Sequence, residues 1–346
     1  MAMQKPIIFA GNDYLGLSED PRVAQAMMAA AKKHGIGPRS GRFFIGWTDY
    51  HKKLESNLAE FFGTEDACLL GAAYLGGLVY FSVMAGEHKT VFCDEYSHCN
   101  LFQGMRSAGF KIHKFRHLDA GDLEAKLKKY KGAPPIVATD GVFGISGEAA
   151  PVKELARICR RRGAELFVDD AHGVFAMGRG GRGTAEWAGV KPNDVTVLGS
   201  MSKALGVHGG FFVGRKDVMR RLQKASAGSS PAPIPVMAAC LESLRRVRED
   251  SSLRGRMWAN AGRMREILAA AGVKVVSEQT PVVTLSLRDE QEAVRLAKHL
   301  ESRGLLIRYC KYPAEPRENL LRSSARACHT EKDLKRFERA VKEFFG

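Results

Sequence analysis

The stretch "VTVLGSMSKALGVHGG", Val195–Gly210, places one lysine in an unusual setting. A β-branched apolar run gives way to Gly199 and Ser200, then Lys203, then more glycine, so the amine stands where a strand ends and a turn begins. A solvated lysine needs no such position. A lysine that must bond to an aldehyde does, because partial desolvation lowers its pKa and frees the nitrogen lone pair. Thirty-four residues before Lys203 lies Asp169, in "FVDDAHG" (Phe167–Gly173), where another apolar run ends in an acidic pair and His172 follows. Taken alone, that segment reads equally well as a capping aspartate and a surface histidine.

Working outward, helical and strand patterns alternate. "TVFCDE", "PPIVATDG", "AELFVDDAHG" and "DVTVLGS" are short apolar runs closed by polar residues. "PRVAQAMMAAAKKHG", "HKKLESNLAEFFG" and "VKELARICRRRG" have helical spacing and stop at glycine. Strands alternating with helices predict an α/β fold, a mostly parallel sheet with helices on both faces. In such sheets ligands gather at the carboxyl ends of strands, so the polar residues that close them are candidates for chemistry. From about residue 251 the pattern changes to a small α+β unit. "WANAGRMREILAAAG", "DEQEAVRLAKHLESRG" and "TEKDLKRFERAVKEFF" read as helices, while "PVVTLSL", "LLIRYCKYP" and "ENLLRSSARACH" read as strands. The expected division is an N-terminal segment (1–40), a large domain (41–250) and a small C-terminal domain (251–346), hinged near 235–255.

Composition narrows the function classes. The 346 residues are 45% hydrophobic, which supports a substantial core, and the net charge is +15. Such a charge raises nucleic acid as a partner, yet the basic residues are scattered and none of the runs interleaves them with aromatics. A basic surface also steers an acidic small substrate such as a coenzyme A thioester. The seven cysteines are odd in number, dispersed and without C-x-x-C, which predicts a reducing, cytoplasmic setting. The N-terminus carries no charged-then-apolar leader pattern. Ala67–Gly86 is uncharged over a bilayer's length, but its Gly71, Gly76, Gly77 and Gly86 favour a buried strand, a Gly/Ala turn and a buried helix over a membrane span. "GRGGRG" (Gly178–Gly183) imitates a dinucleotide fingerprint but lies outside a first βαβ unit and reads as a tight turn. Histidine and cysteine show no metal-ligand spacing, and no metal is expected.

A carboxylate and a lysine at neighbouring strand ends suit pyridoxal 5'-phosphate, which needs an amine for its aldehyde and an acid to keep its ring nitrogen protonated. Around this pair the sequence resembles the α-oxoamine synthase family of fold-type I pyridoxal phosphate enzymes. The ordered match runs from "NDYLGLS" (Asn12–Ser18) to "LLRSSARACH" (Leu320–His329). The resemblance implies a large domain with a mostly parallel seven-stranded sheet, a small α+β domain, and a homodimer that shares its active sites. It implies that Lys203 bonds the cofactor and later moves a proton, that Asp169 pairs with the ring nitrogen, and that His172 lies near the phenolic oxygen. His98, in "DEYSHCN", matches a histidine that stacks on the ring. Ser200, Ala72 and Ala73 match phosphate contacts, the alanines through backbone N–H groups at a helix start. Ser229 matches a contact to the neighbouring subunit's phosphate. Asn12, Tyr14 and Arg42 match positions around substrate entry, and Arg322 matches the arginine that receives the amino acid's carboxylate.

Departures accompany the match. The family's "S-G-Y-x-x-N" is here "AAYLGG", its "GVFSMDG" is "GVFGISG" with Gly144 and Ser146 in place of serine and aspartate, and the chain starts almost at "NDYLGLS", with a shortened arm. The reaction implied is a decarboxylative condensation of a small amino acid with an acyl thioester, on coenzyme A or a carrier protein, giving an α-amino ketone, CO₂ and free thiol. L-Alanine with a pimeloyl thioester, the biotin-pathway pairing, leads. Glycine with acetyl-CoA and serine with a long acyl chain follow. A fold-type I aminotransferase would use the same lysine and aspartate, and a cofactor-binding subunit serving an active partner is the non-enzymatic alternative.

Overall fold

The computed structural model describes residues 6–312 and 315–346. Its centre is a seven-stranded sheet in the order Asp66–Leu70, Gly210–Gly214, Thr196–Ser200, Glu165–Asp169, Ile136–Asp140, Thr90–Asp94, Lys111–Phe115. Gly210–Gly214 runs antiparallel to both of its neighbours, and the remaining pairings are parallel. The mostly parallel sheet expected from the alternating pattern is therefore present. Its inner strands are short and apolar because helices cover both faces: every residue of Ile136–Asp140 and Thr196–Ser200 is buried. One core packs Val137, Val168 and Phe211 on one face of the sheet, and a second packs Ala138, Phe167 and Phe212 on the other, as the two-residue period of a strand dictates.

The flanking helices stop where the sequence says they must. Pro21–His34, Asp49–Phe62 and Val152–Arg162 end at Gly35, Gly63 and Gly163, with φ of 78°, 68° and 62°, a region that glycine enters without steric cost. The apolar segment Ala67–Gly86 folds as the buried strand Asp66–Leu70, a turn, and the helix Gly76–Met84. Among the described residues no helix is long and apolar enough to cross a membrane. "GRGGRG" is a turn in which the Glu186 carboxylate accepts the N–H groups of Gly180 and Arg182.

After the helices Ile234–Glu249 and Ser252–Ala270, broken at Asp250–Ser251, comes a three-stranded antiparallel sheet in the order Leu320–Ser324, Val282–Ser286, Lys274–Val275. The helices Glu290–Ser302 and Glu331–Phe345 pack with it, the latter opened by a Thr330–Asp333 capping box. Two features depart from the expected outline. "LLIRYCKYP" forms only the two-residue strand Leu305–Leu306 before turning irregular, and its Pro313 lies outside the described residues. The N-terminal segment also joins the C-terminal unit. Ile7–Ile8 pairs in parallel with Leu305–Leu306, and Phe9 is fully buried in that unit's core beside Phe337.

The large sheet and the segment entering the last strand are tied by partly buried charge. His117 bonds Asp94 through Nδ1 at 2.9 Å and Glu148 through Nε2 at 3.3 Å, and Glu148 accepts Arg317 at 2.7 Å. Burial alone would lower the His117 pKa, but the two carboxylates hold it up at about 9. Since an unfolded histidine titrates near 6.5, this stabilisation is complete below that pH and disappears as pH rises through about 9. The shift corresponds to at most roughly 3 kcal/mol. Urea unfolding between pH 6 and 10 is expected to show this loss, and His117→Gln to flatten it. An equal alkaline slope in both proteins would assign the effect to other groups.

Candidate active site

A cavity of about 430 Å³ opens at the carboxyl ends of the central strands, within the size range of small-molecule sites. Lys203, Asp169, His172, His98, Ser200, Ala72, Ala73, Asn12 and Arg322 all line it. The lysine and aspartate that opened the sequence reading thus share one chamber.

Each side chain arrives by a local rule. Asp169 ends the strand Glu165–Asp169 and Asp170 follows it, the two side chains going to opposite sides. Asp169 faces the cavity, with Oδ2 accepting Asn100 Nδ2 at 3.1 Å and Oδ1 accepting the Ala171 N–H at 3.2 Å. Asp170 points behind it and accepts the Thr184 N–H at 2.7 Å, and burial raises its pKa to about 7. Lys203 follows the strand Thr196–Ser200 in a turn where the Gly206 N–H bonds its carbonyl. Burial lowers its pKa to about 8, against the pull of Asp169 and Asp140. Among the described residues its amine has no hydrogen-bond or ion-pair partner. A desolvated, unpartnered amine opposite a carboxylate held by two donors fits a cofactor that carries an aldehyde at one end and a ring nitrogen at the other.

His98 caps the helix Cys99–Ser107, with Nδ1 accepting the Asn100 N–H at 3.2 Å, and its ring sits between Tyr74 and Tyr312, each centroid 6.0 Å away. Ser200 is buried and accepts the Ser202 N–H at 3.2 Å. Ala72 and Ala73 begin the turn Ala73–Leu75 that runs into the helix Gly76–Met84, where the first N–H groups have no intrahelical partners. Arg322 is anchored by Nε to the Gly144 carbonyl at 2.5 Å, by Nη1 to the Ala10 carbonyl at 3.0 Å, and by Nη2 to Asn12 Oδ1 at 2.7 Å. Five donors and four bonds, counting a longer one to Tyr14, leave one N–H for a ligand.

Three expected residues lie off this wall. Tyr14 is fully buried. Arg42 makes a bidentate pair with the buried Glu55, at 2.9 and 3.0 Å, and stacks 3.7 Å over the Trp47 ring. Arg42 and Ser229 line a separate small cavity beside Gly71. Two residues not singled out from sequence belong to the site. Asn100 joins Asp169 to His98, a contact across 69 residues that no local pattern signals. Asp140 closes the neighbouring strand in register with Asp169 and accepts the His98 N–H at 3.0 Å. Burial and the adjacent Asp169 raise its pKa well above the usual carboxyl range. The rule that polar strand ends face the ligand would have found it.

Packing explains two of the sequence departures. A Cβ on Gly77 would lie 2.4 Å from the Asn100 carbonyl oxygen, and one on Gly104 would lie 2.3 Å from the Gly77 carbonyl oxygen. The helices cross there backbone to backbone, so the family's asparagine has no room. A Cβ on Gly144 would lie 2.3 Å from His172 Nε2, so that ring occupies the space of the expected serine. Ser146 is buried, and its hydroxyl accepts the Glu148 N–H at 3.3 Å.

Comparison with known proteins identifies the family of the chain. The model of the class I and II aminotransferase family matches residues 4–341. The chain is 33% identical over 345 residues to the 8-amino-7-oxononanoate synthase of Alkalilimnicola ehrlichii, covering 98% of this chain and 88% of that protein. It is 33% identical over 347 residues to the 2-amino-3-ketobutyrate coenzyme A ligase of Escherichia coli K12, covering 98% and 86%. The solved serine palmitoyltransferase of Sphingomonas wittichii superposes with a TM-score of 0.93 at 30% identity, over 99% of this chain and 88% of that one. A serine palmitoyltransferase structure carrying pyridoxal phosphate superposes with a TM-score of 0.93 at 28% identity, over 98% and 87%.

Proposed function

Because the chain belongs to the class I and II aminotransferase family, in its α-oxoamine synthase branch, we propose that it condenses a small amino acid with an acyl thioester, releasing CO₂ and free thiol to give an α-amino ketone. The observation that carries this reading is the one cavity that holds both Lys203 and Asp169, in a chain whose relatives include an 8-amino-7-oxononanoate synthase and a 2-amino-3-ketobutyrate coenzyme A ligase. Pyridoxal phosphate, when bound, supplies an aldehyde for amines and a ring that accepts the electron pair left by a departing proton or carboxylate.

The chain's own residues divide the remaining work. Asp169, held in place by Asn100 and the Ala171 N–H, would present its carboxylate to the cofactor's ring nitrogen. Lys203 is the amine that carries the cofactor. With a pKa near 8, it releases and takes up a proton near neutral pH, as a base for an α-proton must. Arg322 has one N–H free for the substrate carboxylate, and Asn12 and two backbone carbonyls hold the guanidinium still. Ala72, Ala73 and Ser200 supply N–H and hydroxyl donors for the phosphate. The His98 ring, near Tyr74 and Tyr312, would stack on the cofactor's ring, and His172 would stand near its phenolic oxygen.

L-Alanine and a pimeloyl thioester lead as substrates, supported by the synthase relatives, with glycine and acetyl-CoA or serine and a longer acyl chain as the next pairs. A homodimer is part of the proposal. Phe43, Phe44 and Ile45 are consecutive and 70%, 76% and 76% exposed, an apolar patch that a second copy would cover. Ser229, off this chain's own cavity, would contact the phosphate in the partner's site. Seven free thiols support a cytoplasmic location. The test is a screen of alanine, glycine and serine against acyl-CoAs of graded length, reading free thiol. One pair is expected to release thiol in step with CO₂. Amine transfer to a keto acid without any thioester would replace the synthase by an aminotransferase.

A further inference from the structure

Tyr14 and His172 stand 158 residues apart and meet inside the protein, with the tyrosine hydroxyl 2.7 Å from His172 Nδ1. The hydroxyl also contacts Arg322 Nη2 at 3.3 Å. A guanidinium can only donate, so the tyrosine oxygen accepts from Arg322 and its single proton is left for the imidazole. Burial pushes the Tyr14 pKa up, with Arg322 pulling it down, so the phenol keeps that proton. Nδ1 is then an acceptor and the ring proton sits on Nε2, since the bond at one imidazole nitrogen sets the state of the other. Nε2 lies against Gly144 on the cavity side, close enough that a Cβ there would come within 2.3 Å. Burial first, and then the charges of Lys203 and Arg322, hold the His172 pKa well below its ordinary value. The ring is therefore neutral, and its tautomer decides whether it offers the cavity a donor or an acceptor.

We propose that Tyr14, which does not touch the cavity, is a positioning residue that fixes His172 as the Nε2–H tautomer, so that a hydrogen-bond donor faces the bound cofactor. The arginine that receives the substrate carboxylate and the histidine beside the cofactor are thereby joined through one phenol. The inference rests on the proposed synthase reading only for what the donor meets. The tautomer itself is a property of this chain.

The experiment uses the holoenzyme labelled with ¹⁵N-histidine, with the His172 imidazole signals assigned by difference against His172→Gln. The wild type is expected to carry its proton on Nε2. Tyr14→Phe is expected to lose that single tautomer and to lower kcat by about 10–100-fold, the loss seen when a metal-bound histidine loses the partner that orients it. Its KM for the amino acid is expected to stay close to the wild-type value. A proton on Nδ1 in the wild type overturns the proposal, and so does a Tyr14→Phe protein with unchanged tautomer and unchanged kcat. Should that variant fail to accumulate, the wild-type tautomer decides alone. Should no amino acid and thioester pair turn over, the proposed reaction fails while the tautomer result still stands or falls by itself.

Discussion

Lys203→Ala is expected to abolish turnover and to leave the reconstituted protein without the visible absorption of covalently held cofactor. Two functions are lost together. In the proposed reaction the amine is the attachment point, and with a pKa lowered to about 8 by burial it can also shuttle a proton near neutrality. Proton transfer alone contributes about 10²–10⁴-fold, so loss of attachment and transfer together is expected to bring activity below detection. The apoprotein should pay no stability penalty. A lysine held below its usual pKa by burial opposes folding at neutral pH, and its removal is expected to leave the melting temperature unchanged or higher. Absorbance after incubation with pyridoxal phosphate, together with thiol release, checks this. A variant that retains both the spectrum and the activity would place the attachment elsewhere.

Asp169→Asn carries the second large effect. The side chain keeps its shape and the Ala171 contact but loses its charge, and Asn100 Nδ2 then faces a weaker acceptor or another N–H. Removing one preorganised electrostatic group costs about 10²–10³-fold in kcat, and a loss of that order is expected at saturating substrate. The Lys203 pKa should fall as well, because Asp169 is the foremost charge holding it up. Asp170→Asn is the internal control. That carboxylate sits one residue away but bonds the Thr184 N–H behind the sheet, so its loss should alter unfolding more than chemistry. Equal kinetic losses in the two variants, at equal stability, would contradict the division of labour between the aspartates.

Much of this site is legible in the sequence. Apolar runs closed by polar residues marked the strand ends at Asp169 and Ser200, and glycines after helical patterns marked the stops at Gly35, Gly63 and Gly163. Both are local signals, since a strand buried on two faces must be apolar along its length and a left-handed helix stop needs glycine. What stayed hidden was partnership across the chain. Phe9 reads as part of an N-terminal segment, yet it completes the core of the C-terminal unit. Arg42 resembles a substrate contact, yet Glu55 and Trp47 claim its guanidinium. "AAYLGG" reads as a loss of polar groups until the crossing at Gly77 and Gly104 shows that a side chain has no space there.

From its residues alone, then, this protein's α/β class, its amine and carboxylate at adjoining strand ends, and its family were all determined, because each depends on periodicity or on the order of short motifs. Which oxygen accepts which proton was decided only in three dimensions. Asn100 on Asp169, Asp140 under His98, and Tyr14 between Arg322 and His172 are hydrogen bonds between residues far apart in the chain, and such geometry is fixed by how helices and strands cross rather than by any spacing along them.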